Sequence, residues 1–418
     1  MNKNSDYFLN EVMTYIQSKE AKKLIASELE FHLQNAKASW IKKGLDEEEA
    51  ERKAVEQMGS PIQLGLELNK LHRPKIDWWI ISLLVISMGF GFLPIVSLEN
   101  KDFFINKGIM IMIGTVVAFG VMMFDYRKLE KYGWSFFVVG GLILLILIFF
   151  PNGIINGQPF IHIGPFTIEG LMAIPFFYLA WASFFNHYRL KIWHFFLLFL
   201  LTFYLFLNIT NLSTTFLYSL MVFVMLWWSK LGKRKAFYIT SIFLGISIIG
   251  GISIWFTAKS YQLARIIGYL HPKDHADGSG YVYVHLKKMM ASSNWVGSTG
   301  NVDLPEAHTD LVFATLINHY GYLLAFVLVG ILLLLVFRMI SISQKVSHSY
   351  GYMLLVGSIT LFVIQLIYNI GMTLGMLPII SISLPFVSYG LMPILLNAFL
   401  IGIVLSIYRW KNLIANHI

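Results

Sequence analysis

"HRPKIDWWIISLLVISMGFGFLPIV", residues 72–96, is the stretch where the chain changes character. Up to Arg73 the sequence is charged and reads as soluble; from Trp78 onward nearly every segment is apolar. The run that starts at Trp78 approaches the ~20 residues that an α-helix needs to cross a bilayer. Trp78 and Trp79 stand at its edge, and Trp227 and Trp228 at another, as an interfacial aromatic belt requires. The composition agrees with this reading. Of 418 residues, 56% are hydrophobic and only 13% charged, with a mean hydropathy of +0.65, and so few charges cannot cover a soluble surface. The net charge of +9 therefore marks cytoplasmic loops held by an anionic leaflet, and nucleic acid is not expected as a partner. The chain has no cysteine, which excludes disulfides, thiolate catalysis and thiolate metal sites. Residues 1–20 are polar and mixed in charge, so no cleavable signal peptide is expected.

Working outward, residues 1–73 predict a small helical domain. Ile25, Leu29, Leu33, Ala36 and Trp40 make one helical stripe, which Gly44 ends. Asp46 and Glu49 form a capping-box pattern that opens a helix ending near Gly59. Ser60-Pro61 starts a further helix, giving three or four in all. Residues 74–418 predict about ten spans, near 78–98, 104–124, 133–151, 168–186, 192–209, 213–229, 236–258, 310–337, 350–370 and 386–408. The fold class is thus all-α, a polytopic membrane protein behind a soluble helical prefix. With ten spans, "DYRKLEK", "HYRLK", "SKLGKRK", "FRMISISQK" and "YRWKN" fall on one side together with the prefix. The positive-inside rule then puts both termini in the cytoplasm and the long loop 259–309 outside. A loop this long between spans is usually functional.

That loop ends in "LPEAHTDLVFATLINHYGYL", residues 304–323. Glu306 and Asp310 lie four apart, on one face if the helix begins early, with His308 between them. A carboxyl at the interface with apolar walls has a raised pKa and can take a proton from a hydroxyl near neutral pH. The plainer alternative is that Thr309 or Asp310 merely caps the helix, and spacing does not separate the two.

Three blocks give the chain a family resemblance. "RIIGYLHP" at 265–272 followed by "GSGY" at 278–281, "LPEAHTDLVFATL", and "NIGMTLGMLPIISISLPFVSYG" at 369–390 resemble, in this order, signatures of the SEDS family (shape, elongation, division and sporulation). The resemblance implies a bacterial peptidoglycan glycosyltransferase that polymerises lipid II in the cell wall, facing outward and working with a class B penicillin-binding transpeptidase. It assigns the essential acid to Asp310, with Glu306 supporting it or placing a divalent cation, Mg²⁺ or Mn²⁺, near the pyrophosphate. An anionic leaving group calls for cations, so Arg265, Lys287 and Lys288 join His308, Ser388 and Tyr389 as expected substrate contacts. Pro385 to Gly390 either breaks the backbone to shape a groove or simply starts the last span.

Other positions depart from the family pattern. Phe160 replaces a Trp, Glu169-Gly170-Leu171-Met172 stands for Gln-Pro-Ser-Glu, and Pro175 replaces a Lys. Asn211 stands for an Asp, Asn318-His319 for a Glu pair, and "LMP" follows Ser-Tyr-Gly in place of a Gly and two Ser. These losses of charge leave a scaffolding or regulatory paralogue open as an alternative. A flippase for the lipid-linked precursor is the other; it would favour charges along a path through the bilayer, and the spans are poor in them. The prefix is similar to the permease-prefix, or HAAS-like, domains, which implies regulation or partner binding.

Overall fold

The structure, a computed structural model, describes residues 3–411 apart from 18, 73, 97–100, 156, 165, 188–190, 258–259 and 298–304. Leu304 of the acidic motif and most of the "HYRLK" loop lie outside the described residues. The chain divides into two compact units, Met1–Asp77 with Tyr408–Ile418, and Trp78–Ile407.

The first unit holds the helices Lys3–Thr14, Lys19–Lys42, Glu47–Met58 and Pro61–His72. The Asp46 side chain accepts from the Glu49 N–H at 2.8 Å, the N-cap that the sequence announces. Gly59 takes φ +80°, a conformation that stops the helix at little cost for glycine. Phe8, Val12, Ile25, Leu29 and Leu33 are buried together with Ala50 and Ala54, whereas Ala36 and Trp40 at the end of the stripe are only half-buried. Glu51 is buried among these helices and accepts from the Ser5 hydroxyl at 2.8 Å.

In the second unit seven described helices are long and apolar enough to cross a membrane: Trp78–Val96, Lys101–Met123, Tyr126–Phe149, Lys233–Ser253, Tyr322–Ser343, Ser349–Thr373 and Leu391–Trp410. Three shorter apolar helices, Gly170–Asn186, Ile192–Asn208 and Leu212–Trp227, fall where the other expected spans lie. Large apolar side chains such as Ile249 and Phe256 are exposed along the long helices, as lipid-facing residues are. The helix Ile174–Asn186 is instead buried almost throughout. Its polar tips find internal partners, as an interior without water demands. The Tyr178 hydroxyl donates to the Leu354 carbonyl at 2.7 Å, and Trp181 Nε1 donates to the Tyr218 hydroxyl at 3.0 Å.

Three departures from the sequence reading bear on function. First, Gly153–Ile155, Gln158–Ile163 and Phe166–Ile168 form a small antiparallel meander within the all-α class. Its first turn carries Gly157 at φ +78°, the conformation that tight hairpins recruit glycine for. Second, the expected span at 310–337 is two helices, Val312–Tyr320 and Tyr322–Ser343, broken at Gly321. Third, the last span begins at Leu391, with Pro393 in its first turn; Pro385 lies in the irregular stretch before it. The long loop carries helices Ser260–Leu270 and Tyr281–Ser292.

Candidate active site

The acidic motif folds as a turn ahead of its helix, so Glu306 and Asp310 do not share a helical face. Glu306 adopts φ +55°, uncommon for a residue with a Cβ, and its carbonyl accepts from the N–H groups of Thr309 and Leu311, both at 3.1 Å. The Thr309 hydroxyl donates to the Glu306 carboxylate, and the Thr315 hydroxyl reaches back to the Ala307 carbonyl at 2.6 Å. The N-cap of the following helix is Leu311, with no side-chain cap. Neither Thr309 nor Asp310 therefore serves as the cap, and the Asp310 carboxylate is left for other work.

A second segment closes on this turn. The Ser388 hydroxyl donates to the Thr309 carbonyl at 2.6 Å and accepts from the Leu384 N–H at 2.8 Å. The Tyr389 N–H donates to the His308 carbonyl at 2.9 Å. The Asn369 amide, fully buried, donates to the carbonyls of Asp310 at 2.8 Å and Ile382 at 2.7 Å. Phe103, His308 and Tyr389 pack edge to face around the joint. Asn369→Leu should leave two carbonyls unpaired at about 1–3 kcal/mol each, lowering the thermal midpoint and loosening the turn. A thermal scan in detergent checks this; an unchanged midpoint would show that the clamp contributes nothing.

Between these segments lies a cavity of ≈ 300 Å³ whose lining includes Glu169, Glu306, Thr309, Asp310, Ser381 and Tyr389. Burial raises the Asp310 pKa to about 6; the Glu306 charge adds to the rise and a Ser381 hydrogen bond opposes it. Glu169 is also pushed upward, first by burial and then by the Asp310 charge. Asn211 lines the same cavity and donates to the Gln158 side chain at 2.8 Å, so a polar pair occupies the place where the family resemblance puts an Asp.

The expected site residues are thus sorted by geometry. Asp310, Glu306 and Tyr389 meet in the cavity. His308 is half-buried beside it, and Ser388 is buried with its hydroxyl committed to backbone, so Ser388 braces the site and is not among the lining residues. Arg265, Lys287 and Lys288 do not line this cavity either. Lys287 lines another, of ≈ 280 Å³, with Tyr269, Tyr283 and Tyr322, while Arg265 and Lys288 are exposed. Among the described residues no three His, Asp or Glu side chains come together as a metal cage. The carboxylates of Glu306 and Asp310 that line the cavity are the oxygen donors a divalent cation would use there.

Glu169 was not expected as a site residue. Its signal was present, because it is the only acid between Glu130 and Asp274. Lys107 and Asn369 are likewise polar groups inside apolar helices, and each reaches the irregular segments around the cavity.

Comparison with known proteins places this architecture. The family model described as cell cycle protein, for FtsW, RodA and SpoVE, matches residues 76–413. A probable peptidoglycan glycosyltransferase FtsW of Coxiella burnetii is 27% identical over 376 residues, covering 80% of this chain and 97% of the relative. Of solved structures, a chain from a study of how a peptidoglycan synthase complex coordinates polymerization and crosslinking superposes with a TM-score of 0.70 at 21% identity, covering 80% of this chain and 98% of its own. The rod shape determining protein RodA of Thermus thermophilus gives 0.60 at 20% identity, over 80% and 97%. At these identities the structural likeness speaks for the fold. The long family match, running from the first span through the last, establishes that this chain belongs to the FtsW/RodA/SpoVE family of cell cycle proteins.

Proposed function

We propose that the protein is a peptidoglycan glycosyltransferase that polymerises lipid II on the outer face of the cytoplasmic membrane. The observation that carries this reading is Asp310: an uncapping, half-buried carboxylate with its pKa near 6, in a cavity shared with two further acids. A carboxylate tuned to that range is ionised at neutral pH yet basic enough to assist a hydroxyl. The Asp310 carboxylate takes the proton of the acceptor sugar's hydroxyl as its oxygen attacks the anomeric carbon of the donor chain. The bond from that carbon to the lipid pyrophosphate breaks, its electron pair leaving with the pyrophosphate, and inversion gives a β-1,4 link.

Glu306 raises the Asp310 pKa by its charge. Glu306→Gln should therefore move the acid limb of the pH–rate profile to lower pH, because the neighbouring negative charge is gone. An unmoved limb would show that the two carboxyls do not interact. Arg265, Lys287 and Lys288, on the external loop, are suited to the anionic end of a long lipid-linked substrate rather than to the reacting atoms. A divalent cation arriving with the pyrophosphate would serve the same end. The relative solved as a peptidoglycan synthase complex supports a class B penicillin-binding transpeptidase as partner. The helical prefix would serve regulation or partner binding. Glu169 speaks for the enzyme over the scaffolding paralogue, since it returns a carboxyl to the cavity where neighbouring family charges are missing.

The test is polymer formation. Purified full-length protein with a class B transpeptidase should convert labelled lipid II into glycan chains; folded protein that yields none under any partner or ion condition overturns the reading. The orientation has its own test, helped by the absence of native cysteine. Asp277 and Lys345 are exposed. In intact cells a membrane-impermeant maleimide should label Asp277→Cys and spare Lys345→Cys; the reverse pattern would place the site inside.

A further inference from the structure

We propose that Lys107, inside the span Lys101–Met123, is a positioning residue: its ammonium fixes the Phe386–Ser388 turn and, through it, the Asp310 cavity. The side chain is fully buried. Its Nζ donates to the carbonyls of Phe386 at 3.1 Å, Val387 at 3.1 Å and Ser388 at 2.7 Å. An ammonium has three N–H donors and each finds one of these oxygens, whereas a neutral amine would have only two. A charged group at this depth is costly, and three carbonyl dipoles turned inward are what makes it tolerable.

The turn needs such a hold. Phe386 adopts φ +64°, a left-handed conformation unfavourable for a residue with a Cβ. Gly91 permits the approach, since a Cβ there would stand 2.6 Å from the Phe386 carbonyl oxygen and 3.1 Å from Lys107 Cε. From the held turn and the residue after it, one bond each leads to the two residues that precede Asp310. Ser388 bonds the Thr309 carbonyl and Tyr389 bonds the His308 carbonyl. The lysine thus acts on the site through backbone, without touching substrate. The inference gives Lys107 a role in the glycosyl transfer proposed above and rests on that reading for its kinetic arm only.

The experiment uses full-length protein in nanodiscs and compares wild type with Lys107→Met, which keeps the stem and removes charge and donors, and Lys107→Arg, which keeps both. Hydrogen exchange is followed in peptides covering 305–311 and 382–390, beside lipid II polymerisation at several substrate concentrations. Lys107→Met should speed exchange about tenfold in those two segments alone. It should lower kcat about 10- to 100-fold with little change in KM, as misplaced catalytic groups do. Lys107→Arg should restore both readouts in large part. Unchanged exchange in the two segments overturns the proposal, and so does protection lost equally across all spans, which marks a packing role. Wild type that makes no polymer defeats the glycosyltransferase reading, while the exchange arm still decides the role of Lys107. If Lys107→Met does not fold, Gly91→Ala pushes on the Phe386 carbonyl and the Lys107 stem while leaving the ammonium itself unsubstituted; it should give the same local exchange, and an unperturbed turn there contradicts the proposal.

Discussion

Asp310→Asn should lower lipid II polymerisation at neutral pH by about 10²–10⁴-fold, the range supplied by a positioned general base. The substitution keeps the size and the hydrogen-bonding oxygen of the side chain and removes only its basicity. The fold should tolerate it well. The backbone carbonyl of Asp310, held by Asn369, remains, and no helix cap is lost because Leu311 occupies that position. Removing a half-buried carboxyl whose pKa is raised by burial also removes a charge that the site desolvates, so the thermal midpoint should stay level or rise. A variant that polymerises normally would remove Asp310 from the chemistry; one that unfolds would show its role to be structural.

Gly321→Val should be among the most destabilising single changes outside the prefix. Gly321 sits at φ +86°, ψ 170°, a region essentially reserved for glycine. A Cβ there would stand 2.6 Å from the Trp295 carbonyl oxygen and 2.8 Å from Val296 Cα, so backbone itself must move. That backbone belongs to the long loop 259–309 where it docks. The Tyr322 and Leu323 N–H groups donate to the carbonyls of Asn294 at 3.1 Å and Trp295 at 3.0 Å, and the Trp295 ring stacks on Phe326. The conformational penalty and the forced displacement together amount to about 3 kcal/mol or more. The thermal midpoint should fall, and limited proteolysis should cut near residues 294–297 in the variant first. A wild-type midpoint with an uncut loop would contradict this reading of the break.

Much of the fold was legible in the sequence, and the physical reason is that apolar length is a strong signal. The break at Trp78, the Asp46 cap and the acidic motif at the head of a span are each written in a few residues. The interruption at Gly321 was not, because Val312–Tyr320 and Tyr322–Ser343 are both apolar and one glycine in a hydrophobic run fits a continuous helix equally well. The strands at 153–168 lay hidden in the connection between the expected spans 133–151 and 168–186, although the Asn-Gly pair at 156–157 of the sequence is a hairpin signal. Within the site, spacing suggested a shared helical face for Glu306 and Asp310; their meeting in one cavity comes from a turn and a segment far along the chain. Lys107 shows what periodicity leaves out. Its charge inside a span is visible in the sequence, but the three carbonyls that explain it are some 280 residues away.

The central claim is that Asp310 is the base, and the pH dependence of polymerisation tests it most directly. The carboxyl must be deprotonated to act, and its pKa is raised to about 6. For wild type the initial rate should rise about tenfold per pH unit on the acid side, bend near pH 6 and level off above it, and the limb should be absent from the residual rate of Asp310→Asn. A wild-type profile that is flat or falling through pH 6, or an Asp310→Asn variant that keeps the same limb, would contradict the account.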